Sequence, residues 1–253
     1  MLKILRTRFQ QGYRTISFPI GEAVLPDRFR GRPVINNNQS CPPGCECCLS
    51  VCPTGAIHSI SGRISLDMGK CLFCNACVDS CPKGKIRLSE EYRIAARKRE
   101  DLVISNDELK LAAALDAKCK RVFGRSLALR QVSAGGCNAC EADTNVLTTI
   151  AYDLGRFGIH FVASPRHADG VLITGPVTKN MQLALQKTYD AIPSPKFVIA
   201  VGACSISGGP YLDHPETNNG VDSLLPVDLF IPGCPPHPLS ILDGLLRLLN
   251  RIG

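Results

Sequence analysis

The sequence predicts an α+β, cysteine-rich first half followed by an α/β second half built on a parallel sheet. Three observations carry this. Nine of the 14 cysteines in the 253 residues fall between positions 36 and 90, in two spaced runs. Beyond residue 129, short β-rich runs alternate with helical ones, the pattern of a parallel sheet covered by helices. The charge balance also changes sign: residues 1–130 carry 22 Lys/Arg against 12 Asp/Glu, and residues 131–253 carry 7 against 10. Such asymmetry marks two modules with different surroundings.

Composition excludes several classes. With 45% hydrophobic and 20% charged residues, the chain is neither disordered nor collagen-like. No apolar run reaches the roughly 18 residues of a spanning helix. The basic first half carries no nucleic-acid-binding motif, so no nucleic acid is expected as a partner. A chain this long does not need disulfide staples and is expected to lack a signal peptide. Metal binding in a reducing compartment therefore explains the cysteines better.

Residues 1–35 form a basic arm, with Lys3, Arg6, Arg8 and Arg14 and no acid before Glu22. It is expected to lie along a partner or near anionic lipid headgroups. Residues 36–90 form the cysteine module, in which Ile57–Ile60 and Arg63–Leu66 flank Ser61-Gly62, a hairpin turn signal. Residues 91–128 are expected to be a helical connector. Glu90, Glu91, Arg93, Arg97, Lys98 and Arg99 supply a charged surface, Leu109–Leu115 is a strong helix former, and Gly124 is the stop. In residues 129–253 the runs Ile159–Ala163, Gly170–Thr174, Phe197–Val201 and Leu229–Ile231 read as buried strands. Helices are expected at about 141–155, 178–191 and 237–250. Ligands in such folds sit beyond the carboxyl ends of the strands.

The strongest motif is Cys71-Leu-Phe-Cys74-Asn-Ala-Cys77-Val-Asp-Ser-Cys81-Pro82, which matches C-x₂-C-x₂-C-x₃-C-P. Three closely spaced thiolates can hold one iron–sulfur cube while the fourth turns away to a second. Zinc is the alternative, but a C-x₂-C pair with a distant partner pair would suffice for it. An upstream copy runs Cys45-Glu-Cys47-Cys48-Leu-Ser-Val-Cys52-Pro53, with Pro42 at the first ligand position and Cys41 one residue earlier as substitute. Cys47 lies between two ligands, and a swap between it and a neighbour stays open. Both copies continue alike, Cys52-Pro-Thr-Gly-Ala-Ile57 against Cys81-Pro-Lys-Gly-Lys-Ile86. The repeat predicts two [4Fe–4S] clusters with crossed ligation: Cys41, Cys45, Cys48 and Cys81 for one, and Cys52, Cys71, Cys74 and Cys77 for the other.

The third group is dispersed over Gly136-Cys137-Asn-Ala-Cys140-Glu141, Gly202-Ala-Cys204 and Gly233-Cys234-Pro-Pro236. All lie in expected loops of the α/β module, where four thiolates make one further cubane site. Taken alone, this set suits zinc equally well; the two upstream motifs tilt it towards electron transfer. Cys119 is left as a buried thiol of the connector. The histidines at 58, 160, 214 and 237 show no ligand spacing.

With these motifs in place, the first half resembles the polyferredoxin-type subunit of formate hydrogenlyase and hydrogenase-4 complexes. Phe29-Arg-Gly-Arg-Pro33, Leu88-Ser-Glu-Glu-Tyr92 and Lys98-Arg-Glu-Asp101 share in this resemblance. From about Leu129 the chain resembles the small subunit of membrane-associated (group 4) [NiFe]-hydrogenases, a family related to the 20 kDa subunit of complex I. Ser164-Pro-Arg-His-Ala-Asp169, Ser207-Gly-Gly209 and Ile231-Pro-Gly-Cys-Pro-Pro236 match, besides the cysteine loops. The resemblance covers nearly the whole chain, as if two neighbouring subunits were fused.

The resemblance implies a ferredoxin-like module, a flavodoxin-like parallel-sheet domain, and three [4Fe–4S] clusters. The proximal cluster is implied on Cys137, Cys140, Cys204 and Cys234. It implies an electron-relay subunit of a hydrogenase complex that is inactive alone. The implied partners are a [NiFe] large subunit, or a complex I 49 kDa-like one, with membrane-embedded subunits and a formate dehydrogenase or other donor. The expected location is the inner face of the cytoplasmic membrane, reached through those partners. A complex I-like quinone oxidoreductase is the alternative, but its relatives carry adjacent cysteines where Cys137 and Cys140 stand apart. A non-redox zinc scaffold is the third reading. Glu141 is hinted as a proton relay, although an acid there also suits the positive end of a helix. Arg166 and His167 match a motif near the large-subunit interface.

Overall fold

The computed structural model describes residues 2–60, 63–105, 109–112, 123 and 126–252. Helix α1 (Leu2–Gln11) buries none of its residues. The arm that follows is ordered against the chain's own second half: Ile16 N–H donates to the Ala151 carbonyl at 2.9 Å, and Arg156 donates to the Phe18 carbonyl at 3.0 Å. The cover expected from a partner is thus supplied internally at residues 15–18.

In the cysteine module, β1 (Pro33–Ile35) pairs antiparallel with β4 (Ile86–Leu88). Strands β2 (Ile57–Ile60) and β3 (Arg63–Asp67) form the expected hairpin, whose turn lies outside the described residues. Short helices α2 (Cys47–Ser50) and α3 (Ala76–Asp79) precede the two Cys-Pro steps. The sequence repeat is therefore a structural one. Gly55 N–H bonds the Cys52 carbonyl and Gly84 N–H bonds the Cys81 carbonyl, both at 3.2 Å, with both glycines in the left-handed region.

Residues 91–105 of the expected connector are not helical beyond one 3₁₀ turn, Phe123 is helical, and Gly124, the expected stop, lies outside the described residues. Residues 94–96 run extended and buried, and Ala96 bridges antiparallel to Phe230. A 3₁₀ turn at Glu100–Leu102 leads to β5 (Val103–Ile104), which adds a third strand beside β3. Helix propensity loses here to tertiary pairing, and the basic side chains find acids instead: Arg99 grips Asp67 with two bonds of 2.8 and 2.6 Å. Residues 109–112 carry no regular element, and 113–122, with Cys119, lie outside the described residues.

The second half holds β6 (Leu127–Ser133), β7 (Ile159–Phe161), β8 (Gly170–Thr174), β9 (Phe197–Val201) and β10 (Leu229–Ile231). Among the described residues they form one parallel five-stranded sheet in the order β10-β9-β8-β6-β7. Strands β8 and β9 are buried throughout, as continuous apolar runs with helices on both faces should be. Strand β6, which starts two residues before the expected boundary, carries a run the sequence reading did not single out. The helices are α4 (Ala139–Val146), α5 (Lys179–Ala191), α6 (Ala203–Ser207) and α7 (Pro238–Leu248). Helix α4 is half the expected length. It gives way to turns and a 3₁₀ segment at Leu154–Phe157, which follows Asp153 in a left-handed conformation. The strand order reverses between β6 and β8, so the crevice at their carboxyl ends is where a ligand belongs.

Candidate metal centres

The cysteines gather in three places. Burial raises the Cys48 thiol, and the charges of Cys81, Cys41 and Cys45 raise it further. Burial likewise pushes Cys71 up to about 12, with Cys77, Cys52 and Cys74 adding to it. Cys140, the most strongly raised of the third group, is buried beside Cys204, Cys234 and Cys137, and Cys204 is pushed up to about 12. Within each of the three groups, cysteines that the sequence expects to share a site thus raise one another. Cysteines of different groups also raise one another: Cys77, pushed up to about 11 by burial, feels Cys52, Cys74 and also Cys48, and Cys234 feels both Cys137 and Cys74.

Cys47 stands apart. It is exposed, with its sulfur 3.7 Å from that of Cys45, whose hydrogen bond is the first cause of its raised thiol.

The local backbone suits thiolate ligands. Ala56 N–H reaches the Cys52 sulfur at 3.2 Å, and Lys85 N–H reaches the Cys81 sulfur at 3.3 Å, the same contact in both copies. Burial raises Cys81, but N–H groups of residues 83–86 outweigh it and leave the thiol below its ordinary value. Such nests of amides favour anions. In the α/β module, Cys137 follows β6, Cys204 follows β9 and Cys234 follows β10, so all converge at the carboxyl edge. Glycines make the room: a Cβ on Gly202 (φ +90°) would lie 2.5 Å from the Cys140 sulfur, and one on Gly209 (φ +53°) would lie 2.9 Å from that of Cys204. Free thiols raised this far keep their protons at neutral pH, and a bound metal core is what would let them ionise. The donor sets thus fit iron–sulfur cores. Among the described residues, no three His, Cys, Asp or Glu side chains are grouped to hold a single metal ion.

Glu141 is 5% exposed and its Oε1 accepts from the Ser133 and Thr174 hydroxyls, both at 2.6 Å. It ties α4 to the ends of β6 and β8, and it borders a cavity of about 560 Å³ with Arg130, Asn138 and Phe161. Arg166 and His167 are exposed on a 3₁₀ turn after β7. His237 caps α7 by accepting the Leu239 N–H at 3.2 Å, and burial lowers its basicity. Sequence reasoning gave Arg30 no role beyond its place in the Phe29–Pro33 resemblance. Its Nη1 donates to the carbonyls of Cys74 at 3.1 Å and Phe73 at 3.5 Å.

Comparison with known proteins now adds a family. Residues 137–248, which contain the third quartet, match the model of the NADH ubiquinone oxidoreductase 20 kDa subunit. The "Probable membrane-bound hydrogenase subunit mbhJ" of Pyrococcus furiosus is 40% identical over 148 residues, 58% of this chain and 89% of the relative. The chain belongs to this 20 kDa-subunit family. An NADH-quinone oxidoreductase subunit of Geotalea uraniireducens is 46% identical over 118 residues, 47% of this chain and 69% of that protein. A chain from the structure of an archaeal membrane-bound sulfane sulfur reductase is 36% identical. That match covers 54% of this chain and 75% of that one at a TM-score of 0.47. The relatives are subunits of oxidoreductase complexes, and this member of the 20 kDa-subunit family is likewise a non-autonomous oxidoreductase subunit. Among the described residues, no helix of this family member is long and apolar enough to cross a membrane.

Proposed function

We propose that the chain is the electron-transfer subunit of a membrane-associated [NiFe]-hydrogenase complex of the formate hydrogenlyase type. In this reading a two-cluster ferredoxin module, residues 36–90, is fused to a small-subunit domain, residues 129–253. Cys41, Cys45, Cys48 and Cys81 hold one [4Fe–4S] cluster, Cys52, Cys71, Cys74 and Cys77 a second, and Cys137, Cys140, Cys204 and Cys234 the third. When bound, such clusters supply one-electron redox sites. The residues of this chain bury them, aim amides at their sulfurs and keep them adjacent. The reaction served is interconversion of protons and electrons with dihydrogen at a nickel–iron centre in a large-subunit partner. Membrane-embedded subunits and a formate dehydrogenase or other donor complete the complex, and the subunit sits on the inner face of the cytoplasmic membrane through them.

The observation that carries this reading is that Cys52, Cys71, Cys74 and Cys77 line one cavity, and that Cys74 shares a second with Cys234 of the third set. A zinc scaffold has no use for adjoining sets. The hydrogenase form is favoured by the separated Cys137 and Cys140 and by the 89% coverage of the P. furiosus relative. A complex I-like quinone oxidoreductase is the second reading, favoured by the 46% identity to the G. uraniireducens relative.

Iron and sulfide analysis of purified protein should give about twelve iron atoms per chain. A colourless zinc protein, silent in paramagnetic resonance after reduction, overturns the assignment. The isolated chain should not evolve dihydrogen, and a partner large subunit lacking terminal nickel-binding cysteines would select the second reading.

A further inference from the structure

We propose that Arg30 is a positioning residue for the second cysteine set. Its guanidinium fixes the Cys74 loop and places a positive charge at the gap between that set and the third. The inference rests on the cluster reading above and extends it to a residue outside the cysteine motifs.

The Cys74 loop is conformationally unusual. Phe73 and Asn75, on either side of Cys74, both take positive φ values, +53° and +75°, a region that side-chain-bearing residues enter only when their surroundings hold them there. That turn leaves the carbonyls of Phe73 and Cys74 facing outward, and Arg30 Nη1 donates to both.

Arg30 is itself held by its neighbours. Phe29 N–H bonds the Pro26 carbonyl at 2.8 Å, and the Phe29 ring meets His237 edge-on at 5.3 Å between centroids. On the other side, Gly31 N–H and Arg32 N–H bond the carbonyls of Ser89 and Glu91, each at 2.8 Å. The arm is pinned to both modules around Arg30.

A cavity of about 690 Å³ opens there, with Arg28, Arg30, Cys74, Asp143, Cys234 and His237 among its lining residues. Cys74 belongs to the second set and Cys234 to the third, so the cavity is the gap between them. Arg28 and Arg30 share that lining with one carboxyl, Asp143, and with the half-buried imidazole of His237, whose basicity burial lowers. A cation beside a redox site favours its reduced form, because reduction adds negative charge.

The test uses the cluster-loaded full chain. Arg30→Gln should make one of the three clusters harder to reduce by about threefold to tenfold. For a one-electron couple this is about 28–59 mV, read by redox titration followed by paramagnetic resonance. The other two potentials should stay in place, and Arg30→Lys, which keeps the charge, should recover most of the shift. Three unmoved potentials in a fully loaded Arg30→Gln protein overturn the proposal. If Arg30→Gln loads less iron, the lysine variant decides: full iron with a near-native potential supports the assignment, and the same loss overturns it. Wild-type protein without iron overturns the cluster reading and this inference together, whereas loaded wild type with insensitive potentials overturns this inference alone.

Discussion

Gly202 shows how closely single atoms are fitted around the third cysteine set. Its backbone is left-handed, and an added methyl would press on the Cys140 sulfur. Gly202→Ala should therefore cost about 1–3 kcal/mol and lower iron from about twelve to about eight atoms per chain. Thermal unfolding and iron analysis read both, and unchanged iron would show that the third set needs no such cradle. The two adjacent cysteines of the first motif separate similarly. Cys47→Ser should leave iron unchanged, whereas Cys48→Ser should lose about four atoms; equal losses would make Cys47 a ligand. Glu141 accepts from the buried Thr174 hydroxyl and the exposed Ser133 hydroxyl, so Glu141→Ala should cost about 1–3 kcal/mol, chiefly by taking the short partner from Thr174. A stability change below about 0.5 kcal/mol in chemical denaturation would contradict that bracing role. At this scale the two copies of the cysteine motif were legible, because ligand spacing is a local property of the chain. Gly202, Gly209 and Arg30 were less so, since their roles depend on close approach between segments far apart in sequence.

Among the elements, those buried on both faces were legible and those serving two neighbours were not. Strands β8, β9 and β10 appear where their apolar runs placed them, because continuous burial leaves a continuous signature. The segment after residue 90 misled for a physical reason. Its Glu, Arg, Lys and Ala content favours a helix, but Ile94, Ala95 and Ala96 are buried and Ala96 bonds Phe230 in both directions, at 3.0 and 2.9 Å. Charge that looked like a solvated helix face instead meets Asp67 and Asp228. Helix α1 is the opposite case, a helix with no buried residue. Deleting residues 2–11 should change unfolding free energy by no more than about 0.5 kcal/mol and leave the iron content intact. A larger loss in urea denaturation would mean that the helix supports the fold in a way its exposure does not reveal.

For the whole molecule, the two modules share a seam. Ser207 Oγ donates to the Gly69 carbonyl at 2.9 Å, and a Cβ on Gly244 of α7 would meet that of Ala95 at 2.9 Å. Denaturation should accordingly show one cooperative transition for both modules. Gly244→Leu should overpack the seam at a cost of about 1–3 kcal/mol and resolve two transitions; two transitions in the wild type would make the modules independent. The sign change in charge along the sequence pointed to two parts but could not reveal a seam made by backbone pairing.

The stretch from Ile94 to Ile104 touches the large sheet at one end and the small one at the other. A carrier domain on a loose tether delivers charge by wandering, and its rate depends on how often it comes close. Here the joining backbone is built into both sheets. Cys74 and Cys234 line one cavity between the modules, and the paired backbone of the seam holds the two halves in register around it. The separation of the two modules then stops being a variable of diffusion and becomes a constant of the architecture.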